Sequence, residues 1–125
     1  MKRIVTGMMA LYSLAATAQK QEPMRTMNCV EMVVFRPNQG VSNDSLQKAM
    51  QATNAIVKEF DGFLSRTTSM NEAGEFLDVV YWESKAKALE AAEKVQHMPE
   101  VMQHFSLIDP KSISMKHFEV FAIQE

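Results

Sequence analysis

Residues 75–92 read EFLDVVYWESKAKALEAA, and within this run the chain passes from strand to helix. Phe76 to Trp82 is rich in β-branched and aromatic residues, the composition of a strand. One charge, Asp78, interrupts it. Alternation places Phe76, Asp78, Val80 and Trp82 on one face and Leu77, Val79 and Tyr81 on the other. Ser84 is placed to cap a helix that runs to about His97. Ala88, Leu89, Ala92 and Val95 are expected on its buried face.

The pattern continues upstream. Asn71-Glu72-Ala73-Gly74 is a hairpin loop joining Phe76–Trp82 to a partner strand over Phe63 to Met70. Asp61-Gly62 ends a helix that begins at Ser42 or Asn43, the glycine suiting the left-handed position after a helix. Leu46, Ala49, Met50, Thr53, Ile56, Val57 and Phe60 recur there at helical spacing and predict one buried stripe. Before it, Asn28 to Arg36 reads as a strand that stops at the turn cluster Pro37-Asn38-Gln39-Gly40. Downstream, Pro99 suits the first turn of a short helix over Glu100 to Phe105. Asp109-Pro110 turns the chain into a last strand, Ser112 to Ile123.

The order β-α-β-β-α-(α)-β predicts an α+β fold, a ferredoxin-like antiparallel sheet with strands in the order 4-1-3-2 and the helices on one face. Val30, Met32 and Val34 lie on one face of the first strand, and Val33 and Phe35 on the other, so both faces of both central strands are apolar. Helices can cover only one of them. A second copy of the chain is the simplest cover for the other, which predicts a homodimer with sheets packed face to face.

With 46% hydrophobic and 22% charged residues, the chain has the composition of one globular domain. Residues 1–18 are set apart. Lys2 and Arg3 precede an apolar run from Ile4 to Leu14, and Ala16-Thr17-Ala18 has the small-x-small pattern of a cleavage site before Gln19. The expected organisation is a signal peptide over 1–18, a polar linker over 19–27 and the domain over 28–125, exported to the periplasm or secreted. No membrane association is expected after cleavage. The 13 Lys and Arg against 15 Asp and Glu give a net charge of −2, and loss of Lys2 and Arg3 makes the exported chain more acidic. Its basic residues are scattered, which argues against a nucleic-acid partner. Cys29 has no second cysteine to pair with, and it reads as a small buried hydrophobe.

These elements resemble the antibiotic biosynthesis monooxygenase-like domains of the dimeric α+β barrel superfamily. The resemblance rests on Gly40 after the first strand, Asp61-Gly62-Phe63, and the Asp78 to Ser84 run with its Trp-x-Ser step. It extends to the Ala88/Ala92 helix, Pro99 to Phe105, and Ile108-Asp109-Pro110 leading to Met115-Lys116-His117. It covers about Asn28 to Ile123. It implies a dimeric barrel and, among the activities of the superfamily, cofactor-free oxygenation. The haem-degrading branch resembles itself in a first-strand asparagine, a helix tryptophan and a nearby histidine. Here those positions are Val33, Ala91 and, loosely, His104, so haem degradation is disfavoured.

Three strand residues interrupt apolar neighbours: Glu31, Asp78 and His117. In the order 4-1-3-2 they fall on adjacent strands and form a polar band, which Arg66 extends if its parity matches. A buried carboxylate is costly unless paired, and a Glu–His pair is a plausible general base. Glu31, His117 and Asp78 are therefore the candidate catalytic residues. Trp82, Phe35, His104 and Arg66 are candidates for contacting a small apolar or aromatic ligand. The structural alternative is a set of cross-strand ion pairs at a dimer interface or barrel mouth. No ligand pair at helical spacing points to a metal, and no cofactor motif is visible. Two functions are open: a cofactor-independent monooxygenase acting on a small aromatic or quinone-like molecule, or a non-catalytic ligand-binding or structural dimer.

Overall fold

The computed structural model describes residues 27–125, so the expected signal peptide and nearly all of the polar linker lie outside the described residues. Strand β1 spans Cys29–Phe35, helix α1 Asn43–Ala52, helix α2 Asn54–Val57, β2 Phe63–Met70, β3 Phe76–Trp82, α3 Lys85–Val95 and α4 Pro99–Phe105. A 3-10 turn over Pro110–Ser112 leads into β4, Ser114–Glu119. The four strands form one antiparallel sheet in the order β2-β3-β1-β4. This is the ferredoxin-like α+β arrangement expected from the sequence.

Register fixes the faces. Cys29, Glu31, Val33 and Phe35 of β1 stand opposite Trp82, Val80, Asp78 and Phe76 of β3, and this side carries the helices. Two apolar clusters form beneath it. One gathers Phe35, Leu46, Ala49, Met50, Phe76 and Ile108, with Phe35 and Phe76 stacked 5.5 Å apart. The other gathers Cys29, Val80, Trp82, Ala88 and Ala91. Along both central strands the charged residue falls between the clusters, Glu31 on β1 and Asp78 on β3. The opposite face holds Val30, Met32, Val34, Leu77, Val79 and Tyr81, all partly exposed, with Phe118 46% exposed at its edge.

Local chemistry accounts for the helix boundaries. The Ser42 and Ser84 hydroxyls accept from the backbone N–H groups of Ser45 and Lys87, satisfying donors that a helix start leaves unpaired. Gly62 has φ +86°, and a Cβ there would stand 2.5 Å from that of Lys87. Glycine is required both by the turn and by the close approach of α3. Its carbonyl then accepts from the Glu83 N–H at 2.8 Å, tying the helix end to the β3–α3 corner.

Three expectations need correction. The helix expected to reach Phe60 is interrupted at Thr53 and ends at Val57, because the Thr53 hydroxyl donates to the Met50 carbonyl at 2.7 Å and so competes with the helical ladder. Leu89 is 49% exposed: the buried stripe of α3 runs through Ala88 and Ala91, and Leu89 lies beside it. The last strand stops at Glu119 rather than Ile123. Beyond it the Val120 N–H still donates to the Asn28 carbonyl at 3.0 Å, while Phe121 is 97% exposed.

Candidate functional site

Four strands each contribute one side chain to a band across the helix-covered face. Glu31 and His117 are direct cross-strand partners, and their side chains meet at 3.2 Å between Oε1 and Nε2. Both side chains are 12% exposed. Arg66 on β2 shares the face of Asp78 and grips it in a fork. Its Nε donates to Oδ1 and its Nη2 to Oδ2, each at 2.9 Å. Thr68, which pairs with Asp78 across the strands, adds a hydroxyl to Oδ1 at 3.3 Å.

The guanidinium is held from its other side as well. Arg66 Nη1 donates to the Thr53 hydroxyl at 2.8 Å and to Asn54 Oδ1 at 2.9 Å. The Thr53 that interrupts the helix therefore accepts from Arg66 while donating to Met50. This is a closed network, and the bidentate geometry is the strong form of an arginine–carboxylate pair.

Glu31 has a different environment. Its side chain makes a single hydrogen bond among the described residues, to His117. Burial pushes its carboxyl above the ordinary glutamate range. The hydrogen bond and charge of His117 pull it back in part, and the negative charge of Asp78 adds to the rise. Desolvation is thus the dominant cause. Trp82 stands beside it, 3% exposed. Its indole N–H lies near enough to favour the charged form of Glu31, yet it is buried with no hydrogen-bond partner among the described residues. Native interiors seldom leave such a donor unmet.

A cavity of about 250 Å³ opens between the sheet and the helices, next to these groups. Glu31, Asp78, Arg66 and Trp82 form its polar side, while Val57, Phe60, Ala92, Val95, Met102 and Phe105 form part of its apolar side. Mostly apolar walls with a few convergent polar groups are what a small-molecule site requires. Its size is just below the usual range for such sites, which limits a ligand to one or two rings.

Of the residues singled out from sequence, Glu31, Asp78, Arg66 and Trp82 line this cavity, and His117 reaches it through Glu31. Phe35 does not: it belongs to the other apolar cluster, stacked on Phe76. Half-buried His104 is on α4, whose Met102 and Phe105, not the histidine, face the cavity. Sequence reasoning missed Thr53, Asn54 and Thr68. One signal was available, since Thr53 is a polar residue inside an apolar helical stripe. Among the described residues no group of three or more His, Cys, Asp or Glu side chains is placed to hold a metal ion.

The sequence matches no protein-family model and no curated protein. Solved structures do resemble the fold. SnoaB, a cofactor-independent oxygenase from Streptomyces nogalater, aligns with a TM-score of 0.54 at 15% identity, over 78% of this chain and 96% of that one. A monooxygenase from Streptomyces coelicolor, solved in complex with nanaomycin D, gives 0.56 at 16% identity, over 79% and 92%. A dimeric ferredoxin-like protein from an uncultured marine organism gives 0.59 at 10% identity, over 81% and 94%. At such identities the likeness establishes the fold, and the activity must be argued from the site.

Proposed function

We propose that this protein is a cofactor-independent oxygenase acting on a small aromatic, quinol-like molecule, exported and working as a homodimer. One observation carries the reading: Glu31 is a buried carboxyl whose one side-chain hydrogen bond among the described residues is to His117, and it faces a largely apolar cavity. A carboxyl held above its ordinary range is a better proton acceptor. When ionised it takes a proton from a ring hydroxyl or an activated ring carbon, and the electron pair stays on the ring. The resulting electron-rich anion can react with oxygen directly, and the apolar walls keep water from competing. Arg66 and Asp78 hold the floor rigid in this reading, since three donors already occupy the Asp78 oxygens. The similar oxygenases support the choice of chemistry.

The open sheet face supports the dimer. Val30, Met32, Val34, Leu77, Val79, Tyr81 and Phe118 form a contiguous apolar surface of the kind that subunit contacts cover. Light scattering on the exported protein should give twice the monomer mass, and its N-terminus should be Gln19. A monomer at micromolar concentration would refute the dimer.

The activity is tested by oxygen uptake with a panel of quinols and polyphenols. Glu31→Gln should keep the oligomeric state and lose about 100-fold or more in turnover, the usual scale for a general base. If no quinol drives uptake but several bind, the cavity belongs to a binding module instead.

A further inference from the structure

Glu31 faces the cavity, but His117 does not. His117 lines a second cleft, of about 660 Å³, at the end of the sheet beside the start of α3, together with Asn28, Cys29, Ser84, Lys85 and Glu119. No residue lines both spaces. The 3.2 Å contact between Glu31 and His117 is thus where the two clefts meet. Trp82, Ala88 and Cys29, all buried, cluster at this end of the sheet.

This placement matters once the cavity is filled. A bound aromatic ring displaces the water that could otherwise carry a proton away from Glu31. The hydrogen bond its side chain then retains is the one to His117. We propose that Glu31 and His117 form a proton relay through the sheet, carrying the proton taken from a ligand in the cavity to solvent in the second cleft. The inference rests on the oxygenase reading for the source of that proton, but the route can be tested without turnover.

The steps balance. The ligand O–H or C–H bond breaks, its electron pair stays on the ligand, and the Glu31 carboxylate gains the proton. Glu31 passes it to Nε2 of a His117 ring protonated at Nδ1, and the carboxylate is restored. The ring then releases the Nδ1 proton to water in the second cleft. It next swings Nε2 into that cleft, where water takes the Nε2 proton and returns one to Nδ1. On swinging back the ring is reset, with one proton released for each one taken. The neighbouring charges are compatible with this route. Asp78 on β3 is neutralised by Arg66 on β2. Lys85 on α3 and Glu119 on β4 flank the outer cleft with opposite charges. Cys29 on β1 feels both Glu31 and Lys85, and burial pushes its thiol up, so it stays protonated and does not compete as a second base.

Trp82 is the only tryptophan in the chain and adjoins Glu31, so its fluorescence reports both cavity filling and protonation of that carboxyl. The experiment is a stopped-flow pH jump on the protein with and without naphthalene, a probe with no exchangeable proton. In the unaltered protein the rate of the Glu31 response should be similar whether the cavity is empty or filled. His117→Gln keeps a hydrogen-bonding group near Glu31 but cannot carry a proton. It should slow the response about 10- to 100-fold in the filled cavity only. His117→Ala should behave alike and recover with added imidazole, which the glutamine variant should not do. Unchanged rates in the filled cavity of His117→Gln overturn the relay, even if quinol-driven oxygen uptake is found. Naphthalene that leaves Trp82 fluorescence unaltered also overturns it, because the cavity then takes no ring whose proton needs a route. Lack of oxygen uptake with an intact His117-dependent response would reject the oxygenase and keep the relay.

Discussion

Glu31 and Asp78 are acidic residues on neighbouring strands, on the same face, each 9% exposed, yet the molecule treats them differently. Asp78 is enclosed by donors from Arg66 and Thr68, and Arg66 is itself anchored on Thr53 and Asn54. Among the described residues Glu31 has one imidazole and, beside it, an indole N–H without a hydrogen-bond partner. A charge whose acceptor sites are filled has little capacity for chemistry and much for fixing geometry. A charge left incompletely compensated keeps the reactivity and bears a stability cost. The band thus has a structural half and a reactive half, and this difference, more than burial alone, separates the two roles.

The sharpest way to break the comparison is to remove Asp78. Arg66 has a side chain only 4% exposed, and Asp78→Ala would leave its charge buried without a counter-ion. A loss of about 3–5 kcal/mol in urea-induced unfolding is expected. The double variant Arg66→Met with Asp78→Leu should recover most of that loss, since a similar volume of apolar side chain replaces a costly ion pair. If Asp78→Ala is nearly neutral, solvent reaches the pair and the structural half of the band is misassigned.

The architecture was legible because the signals that define it are local and repeated. Alternation in Phe76–Trp82, the Ser84 cap and the Asp61-Gly62 stop each name an element, and together they leave one topology. The partners in the band were legible in part. The strand order 4-1-3-2 puts Glu31, Asp78 and His117 on adjacent strands, but only the register, which one residue of slip would reverse, puts them on one face. Parity could not show which acid is quenched. That depends on how far the Arg66 side chain reaches, and on a helix break at Thr53 that periodicity conceals because threonine fits an apolar stripe by size. Phe35 and His104 were beyond sequence reasoning for a related reason. A strand face or a helix turn can be assigned from spacing, but which of two clusters a side chain enters depends on how helices cross the sheet.

The Thr53 interruption gives a milder test of the same network. Thr53 is fully buried, and its hydroxyl serves Met50 and Arg66 at once. Thr53→Val keeps the shape and removes both bonds, with an expected cost of about 1–2 kcal/mol in unfolding free energy. Thr53→Ser should retain most of the stability. A valine variant as stable as the original would mean that Asp78 and Asn54 hold Arg66 without the Thr53 hydroxyl.

The smallest effect is the one that most directly separates the two acids. Glu31 holds its proton to higher pH in the folded chain than in the unfolded one, chiefly because burial disfavours the charge. Below the ordinary glutamate range, about pH 4, both states are protonated and the neutral carboxyl costs the fold little. As pH rises, the unfolded chain ionises first. The contribution of Glu31 to stability is then lost through the raised pKa, by the linkage between proton binding and folding. Glu31→Gln removes that loss. It should match the original protein near pH 4 and exceed it near pH 8 by about 1 kcal/mol, the scale of one buried polar interaction. Urea unfolding of both proteins at the two pH values reads this directly. A glutamine variant that is less stable at pH 8 than at pH 4, relative to the original, would mean that His117 compensates Glu31 as fully as Arg66 compensates Asp78. The two halves of the band would then be alike, and the case for Glu31 as the reactive one would lose its physical basis.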